Sequence, residues 1–458
     1  MTTFHKHLKS NAAGQLEFEG VAVTDLAAQY GSPLFVLSEN TIRENYRRIH
    51  SAFADLYPAE VIVCAGMKGN WGLAARRVIV EEGGGGDAFG LGELTVAMMA
   101  GSDPRKIVMN GANKSRETIE AAIDMGVLNQ VDNADELALV GEVAAALGKT
   151  ARISLRIRLP LKTLAEVNYV DARYPEGISP SYWERTFKFG LAPDAFTAAV
   201  KVAQGMKNVT LEGCHYHGGI PRRAGFYREE TEELVEVLGE VKSATGWSPA
   251  YLNIGGGFVS ERYGADAPPP VEEYARVIGK AIVDTCAKHG MKVPALMLEP
   301  GRYCWESAGI WLAQVNARKE DHTLANKTWV YVDANTNEMR DPFDPRCSVH
   351  HVVVANDVDR KGSEVVDVCG QTCNAGDILA KNRELPPLRI GDTLAFLDMG
   401  AYNESFACQS NVIPRSATVM VSNGRSTVVR RRETVADVLS REAVPTWLMA
   451  RPAASAAE

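Results

Sequence analysis

No stretch of the 458 residues reaches the ~18 consecutive apolar residues that a membrane-spanning helix requires. A membrane anchor is therefore not expected. Positive charge is in deficit, with 49 Lys+Arg against 57 Asp+Glu and a formal net charge of -8. Without a basic stripe, nucleic acid is excluded as a main partner. The one basic run, Arg430-Arg431-Arg432, is short, runs into Glu433 and reads as a solvated strand edge. The eight cysteines are scattered. None forms a CxxC pair, and no Cys/His spacing suits zinc, so neither a metal site nor a disulfide framework is expected. Free thiols in a reducing cytoplasm is the simple reading. His5, Lys6, His7 and Lys9 are followed by no apolar core, so no secretory signal is expected. The remaining composition, 46% hydrophobic and 23% charged, is that of a globular chain. Its length exceeds one typical domain, which favours one large domain plus a second.

From about residue 60 to 300, apolar β-branched runs alternate with segments of helical period. Strands are expected at Val61-Cys64, Asp87-Phe89, Ile107-Met109, Asn129-Val131, Ile153-Ile157, Leu211-His217, Tyr251-Ile254 and Ala295-Leu298. Eight strands, each followed by a helix, imply an α/β fold with a parallel sheet closed into a (β/α)8 TIM-type barrel, with a doubly wound open sheet as the alternative. After Tyr303 the texture changes to strand-like runs, from Ile310-Asn316 to Thr427-Arg430, which reads as a mainly antiparallel all-β domain. The expected organisation is an N-terminal segment 1–38 whose strand Pro33-Ser38 pairs with the β domain, a barrel over 39–303, the β domain over 304–445 and a disordered tail over 446–458. The long connection Leu159 to Thr186, with Tyr169, Tyr174, Tyr182 and Trp183, is expected to serve as a lid.

In such a barrel the ligand site lies at the C-terminal ends of the strands. The first strand runs into Lys68 and Asn70, the second ends at Asp87, and the sixth at His215 and His217. The seventh runs into Gly255-Gly256-Gly257, and the eighth into Glu299-Pro300-Gly301-Arg302. A lysine held partly out of water at a strand end can capture a carbonyl group, though a plain surface lysine is the bland alternative. Consecutive glycines can turn backbone N–H groups toward a phosphate, or simply make a tight turn. Glu299 could hold a proton on a heterocycle nitrogen or pair with Arg302. His217 could cover an aromatic ring or be structural. Together the set suits an anionic ligand carrying a carbonyl that an amine captures.

These motifs, in this order, resemble the fold-type III enzymes that use pyridoxal 5'-phosphate, most closely the diaminopimelate and ornithine decarboxylases. The resemblance covers roughly Gly31 to Ser440. It is carried by Lys68-Gly69-Asn70, Asn110-Gly111-Ala112-Asn113-Lys114-Ser115, Lys188-Phe189-Gly190-Leu191, His215-Tyr216-His217-Gly218-Gly219, Gly255-Gly256-Gly257-Phe258 and Glu299-Pro300-Gly301-Arg302. In the β domain it continues in Cys373 with Gly376-Asp377 and in Gly400-Ala401-Tyr402. The resemblance implies an amino-acid decarboxylase with Lys68 as the Schiff-base lysine, His217 on one face of the cofactor ring and Glu299 at the ring nitrogen. It assigns the phosphate to Gly255, Gly256, Gly257, Tyr402 and Arg302, and gives Asp87 the task of positioning Lys68. Arg302 is also a candidate for a substrate carboxylate. Cys373 would return a proton after CO₂ leaves, reaching the site from a second subunit of a homodimer with shared sites. A cytoplasmic enzyme with a small amino-acid substrate, no nucleic-acid partner and no membrane is the expectation.

Three segments depart from the family pattern. Cys373-Asn374-Ala375 stands where relatives carry Cys-Glu-Ser, whose Glu contacts the distal amine of diaminopimelate. An uncharged Asn374 cannot pair with an ammonium in that way. Ile220 replaces a serine that follows the His-x-Gly pair, and Ala65 replaces a tyrosine before the lysine. Arg340, with Arg346 as competitor, resembles an arginine that binds a distal carboxylate. Substrate contacts are thus expected from Arg302, Arg340 and Asn374. A decarboxylase of another basic or modified amino acid is the alternative. A racemase needs a second base, usually a tyrosine, and a non-catalytic homologue would not need both Lys68 and Cys373.

Overall fold

The structure, a computed structural model, describes residues 6–159, 169–171, 174–178, 188–218, 224–258, 260, 269–339 and 350–449. Eight parallel strands close into a barrel in sequence order: Val61–Gly66, Gly85–Ala88, Ile107–Met109, Leu128–Val131, Ala151–Arg156, Val209–His215, Tyr251–Asn253 and Ala295–Leu298. The last strand pairs with the first, Leu296 opposite Val61, so no edge is left open. The open-sheet alternative is thereby excluded.

Local chemistry sets where the surrounding helices start and stop. Ser38 Oγ accepts from Thr41 N at the head of helix Glu39–Ala54, which buries Ile42, Tyr46, Ile49 and Phe53 along one stripe. Ser115 and Asn133 cap helices Arg116–Met125 and Ala134–Leu147 in the same way, and both helices end on a left-handed glycine, Gly126 and Gly148.

The second strand begins two residues before the expected Asp87, on glycines that β-propensity disfavours. Packing decides this. A β-carbon on Gly85 would stand 2.3 Å from the Lys106 carbonyl oxygen, and one on Gly86 would stand 3.0 Å from the Arg76 guanidinium. Arg76 is fully buried and donates to the Ala65 and Gly85 carbonyl oxygens. The glycine run thus makes room for a charged side chain behind the barrel wall.

Beyond the barrel, nine strands form a mixed sheet. The strand Leu34–Ser38 lies inside it, antiparallel to Gly309–Asp321 and parallel to Ala417–Ser422. The strand Ile378–Leu385 carries Lys-Asn-Arg-Glu in its middle, which hid it in the sequence. A three-stranded sheet at the N-terminus, Leu8–Ser10, Leu16–Phe18 and Val21–Ala22, was also not legible as strands because each is too short to show a period. Among the described residues no helix is long and apolar enough to cross a membrane. Of the connection 159–186, only Leu159 and the antiparallel pair Tyr169–Asp171 and Tyr174–Ile178 lie within the described residues. Ile220, Arg340, Arg346 and the stretch from 450 to 458 lie outside them.

Candidate active site

The C-terminal ends of the barrel strands meet a loop of the β domain. Asn70 Nδ2 donates to the Gly400 carbonyl at 3.0 Å, and the Tyr402 N–H donates to the Gly69 carbonyl at 2.8 Å. Ser405 Oγ reaches the carbonyls of Lys68 and Gly69, each at 3.0 Å. Tyr402 takes a left-handed backbone, φ 61°. Its hydroxyl then stands 2.3 Å from where a β-carbon of Gly301 would be, so a larger residue there would have to displace the tyrosine.

Lys68 sits in the turn just past the first strand. Its Nζ lies 5.7 Å from the Phe89 ring centroid and 5.9 Å from that of Tyr402. In the single chain the residue is exposed rather than half withdrawn from water, because it stands on the rim and not on the strand itself. It lines a cavity of about 450 Å³ with Trp71, Glu93, Val96 and Phe406. Glu93 accepts from the Phe89 N–H at 2.6 Å, and burial raises its carboxyl above the ordinary value.

Glu299 is buried on the floor. Its Oε1 accepts from Asn253 Nδ2 at 2.7 Å and Asn110 Nδ2 at 2.9 Å, and His215 Nε2 lies 3.5 Å from Oε2. Burial works against its charge, but His215 and the two amides prevail and hold the carboxyl below its ordinary range. Asp87 Oδ1 accepts from the same Asn110 nitrogen at 2.5 Å. Burial and the neighbouring Glu299 raise the Asp87 carboxyl well above the ordinary value.

His217 lies two residues past the end of its strand. Burial, Arg156 and Lys68 lower its imidazole to about 3, so the ring is neutral at physiological pH. Its Nδ1 is buried and has no hydrogen-bond partner among the described residues. A β-carbon on Gly255 would stand 2.6 Å from that nitrogen, and one on Gly256 would stand 2.2 Å from the Glu299 carbonyl oxygen. The glycine turn therefore comes as close to its neighbours as a backbone can, with Gly255 and Gly257 both at positive φ. Arg302 pairs with Glu306 at 2.8 Å and lays its guanidinium over the Tyr402 ring, 4.8 Å from the centroid.

Lys68, Asp87, His217, Gly255, Gly256, Gly257, Glu299, Arg302 and Tyr402 are thus on one mouth. Among the described residues, Cys373 and Asn374 make no hydrogen bond to any of these side chains. The Cys373 N–H and sulfur meet Asn411 of the same β domain, each at 3.3 Å, and Asn374 Oδ1 accepts from the Gly376 N–H at 2.9 Å. Both residues are exposed. Sequence reading gave no role to Asn110, Asn253 or Arg156. The signal was available: each is a polar residue at or just past the C-terminal end of a barrel strand.

Residues 39–306 match the family described as pyridoxal-dependent decarboxylase, pyridoxal binding domain. The diaminopimelate decarboxylase of Methanothermobacter thermautotrophicus is 34% identical over 448 residues, covering 97% of this chain and 99% of its own. That of Archaeoglobus fulgidus is 30% identical over 446 residues, covering 96% of this chain and 100% of its own. The crystal structure of diaminopimelate decarboxylase from M. jannaschii in complex with L-lysine superimposes with a TM-score of 0.86 at 31% identity, over 97% of this chain and 99% of that one. The chain belongs to the pyridoxal-dependent decarboxylases, carboxy-lyases that use pyridoxal 5'-phosphate on amino acids. The residues present fit that cofactor: an accessible amine at the rim, a neutral imidazole whose buried nitrogen is unpartnered among the described residues, a glycine turn without side chains and a carboxylate kept charged.

Proposed function

We propose that the chain decarboxylates diaminopimelate, releasing CO₂ and lysine. The observation that carries this is the single mouth holding Lys68, His217, Glu299 and the Gly255–Gly257 turn. Relatives from archaea and bacteria that carry the diaminopimelate decarboxylase name over nearly their full length support the substrate.

Lys68 would hold the cofactor through its amine, which stands exposed at the rim where a substrate amine can reach it. The bound cofactor supplies an electron sink for the pair left behind by CO₂. Glu299 would hold a proton at the ring nitrogen, which a carboxylate fixed by two amide donors with His215 beside it is suited to do. His217 covers one face of the ring. The backbone N–H groups of Gly255, Gly256 and Gly257, with Tyr402 and Arg302, hold the phosphate. Asp87 helps to place Lys68. Arg302 and Arg340 are the candidates for substrate carboxylates.

Cys373 delivers the proton to the substrate carbon. Its exposed position in the β domain supports a two-fold homodimer in which each copy lends its thiol to the other's site. Asn374 favours a second reading, in which the substrate keeps a distal carboxylate but lacks the distal ammonium.

A screen of cofactor-loaded protein for CO₂ release decides between them. It includes meso-diaminopimelate, analogues without the distal amine, both enantiomers of lysine, ornithine and arginine, and glutamate, with Lys68→Ala as control. Release from diaminopimelate above all others is the expected result. A preference for the analogues overturns the substrate, and release that survives Lys68→Ala overturns the chemistry.

A further inference from the structure

Two buried carboxyl groups meet on the floor of the mouth, and Asn110 stands between them with no exposure to solvent. Its amide nitrogen is 2.5 Å from Asp87 Oδ1 and 2.9 Å from Glu299 Oε1. An amide nitrogen carries two hydrogens, so each carboxyl takes one. The support is otherwise unequal. Glu299 also receives Asn253 Nδ2 and has His215 beside it, whereas the Asp87 carboxyl has no other hydrogen-bond donor among the described residues. Two adjacent carboxylates out of water repel, and the proton goes to the one with fewer donors.

Building on the decarboxylase reading above, we propose that Asn110 is a positioning residue. It ties the pair so that one proton stays on Asp87 and Glu299 remains the anion required at the cofactor's ring nitrogen. The charges facing the pair agree. Burial and Glu299 push Asp87 up, with Glu93 adding to this, while the hydrogen bond from Asn110 and the charge of Lys68 oppose without prevailing, Lys68 from the exposed rim where solvent screens it. His215 lies beside Glu299 and not beside Asp87 and favours its charge, though burial lowers that imidazole; Arg156 favours charge on both carboxyls, with Glu299 first. Behind the strands, Arg76 is held among backbone carbonyls, and the Cys64 thiol is pushed far up by burial and stays neutral. A neutral Asp87 has a hydrogen to donate, so it can orient the amine of Lys68 without competing with Glu299 for the ring proton.

Infrared difference spectra at neutral pH test this on both the cofactor-free and the cofactor-loaded protein. Asp87→Asn is expected to remove a protonated-carboxyl band and Glu299→Gln to remove carboxylate bands; the reverse pattern overturns the assignment. Asn110→Leu is expected to add a second protonated-carboxyl band. It should also weaken cofactor binding by roughly tenfold to a hundredfold in a fluorescence titration, the worth of one hydrogen bond to a buried charge. Unchanged bands and affinity in that variant overturn the role of Asn110. Where Asn110→Leu does not fold, Asn110→Ser is read in the same two ways. The bands of the cofactor-free protein do not depend on turnover. Failure of the decarboxylase reading would appear separately, as loaded wild-type protein that releases no CO₂ from any amino acid.

Discussion

Glu230 offers a prediction whose size follows from burial alone. It lies on helix Ala224–Thr245, 4% exposed, against the loop that carries His217. A β-carbon on Gly218 would stand 1.7 Å from its Oε1. Burial pushes this carboxyl from 4.5 to about 8, against the Tyr216 hydroxyl and with the help of Glu233. Between those two values the folded chain keeps a proton that the unfolded chain has released. Stability therefore falls as pH rises through that window and is level on either side of it. Each pH unit removes roughly 1.4 kcal/mol, and the window as a whole on the order of 3–5 kcal/mol. Glu230→Gln keeps the shape and removes the ionisation. Below the window the variant should match the wild type or fall slightly behind, since its new N–H donors need partners. Through the window it should gain steadily, and above about 8 it should gain no more. Thermal unfolding of the cofactor-loaded protein over a pH series reads this, at one fixed scan rate because large two-domain chains unfold irreversibly. A difference between the two proteins that stays flat, or narrows as pH rises, would refute the reasoning.

Three further outcomes are expected. Gly256→Ala forces a carbon against the Glu299 carbonyl oxygen, so it should cost about 1–3 kcal/mol of stability and weaken cofactor binding at least about tenfold in an absorbance titration. Cys373→Ala should slow turnover by roughly 10²–10⁴ through loss of a proton donor. It should leave the melting temperature in place, because the side chain is exposed; a large drop in melting temperature would make the residue structural. Asn374→Glu should raise kcat/KM for diaminopimelate over an analogue lacking the distal amine by roughly two- to fivefold, as an exposed ion pair of ~0.2–1 kcal/mol allows, and no change would remove Asn374 from the substrate contacts.

The barrel was legible because buried parallel strands need continuous apolar runs and their helices need a 3.6-residue stripe. Both patterns are local. The second strand was placed late because glycines give no such signal. Its reason, the buried Arg76 and the Lys106 carbonyl, lies on neighbouring elements. The mouth was legible wherever a chemically marked residue followed a strand, as Lys68, Asp87, His217 and Glu299 do. Asn110 and Asn253 escaped because an asparagine at a strand end is chemically neutral until its partner is known, and their partner is Glu299, far along the chain.

The sequence by itself determined the alternation of strands and helices, the change to a β domain after Tyr303, and the inventory of reactive groups in order. These depend on side-chain type and spacing along the chain. Tertiary structure alone decided which of two like carboxyl groups keeps its charge. It also set the neutral state of His217, the clamp of Tyr402 on the barrel mouth, and the pairing of Cys373 with Asn411 in the β domain. Each of these depends on distances between residues remote in sequence and on the loss of water around them, and neither is written in the local pattern.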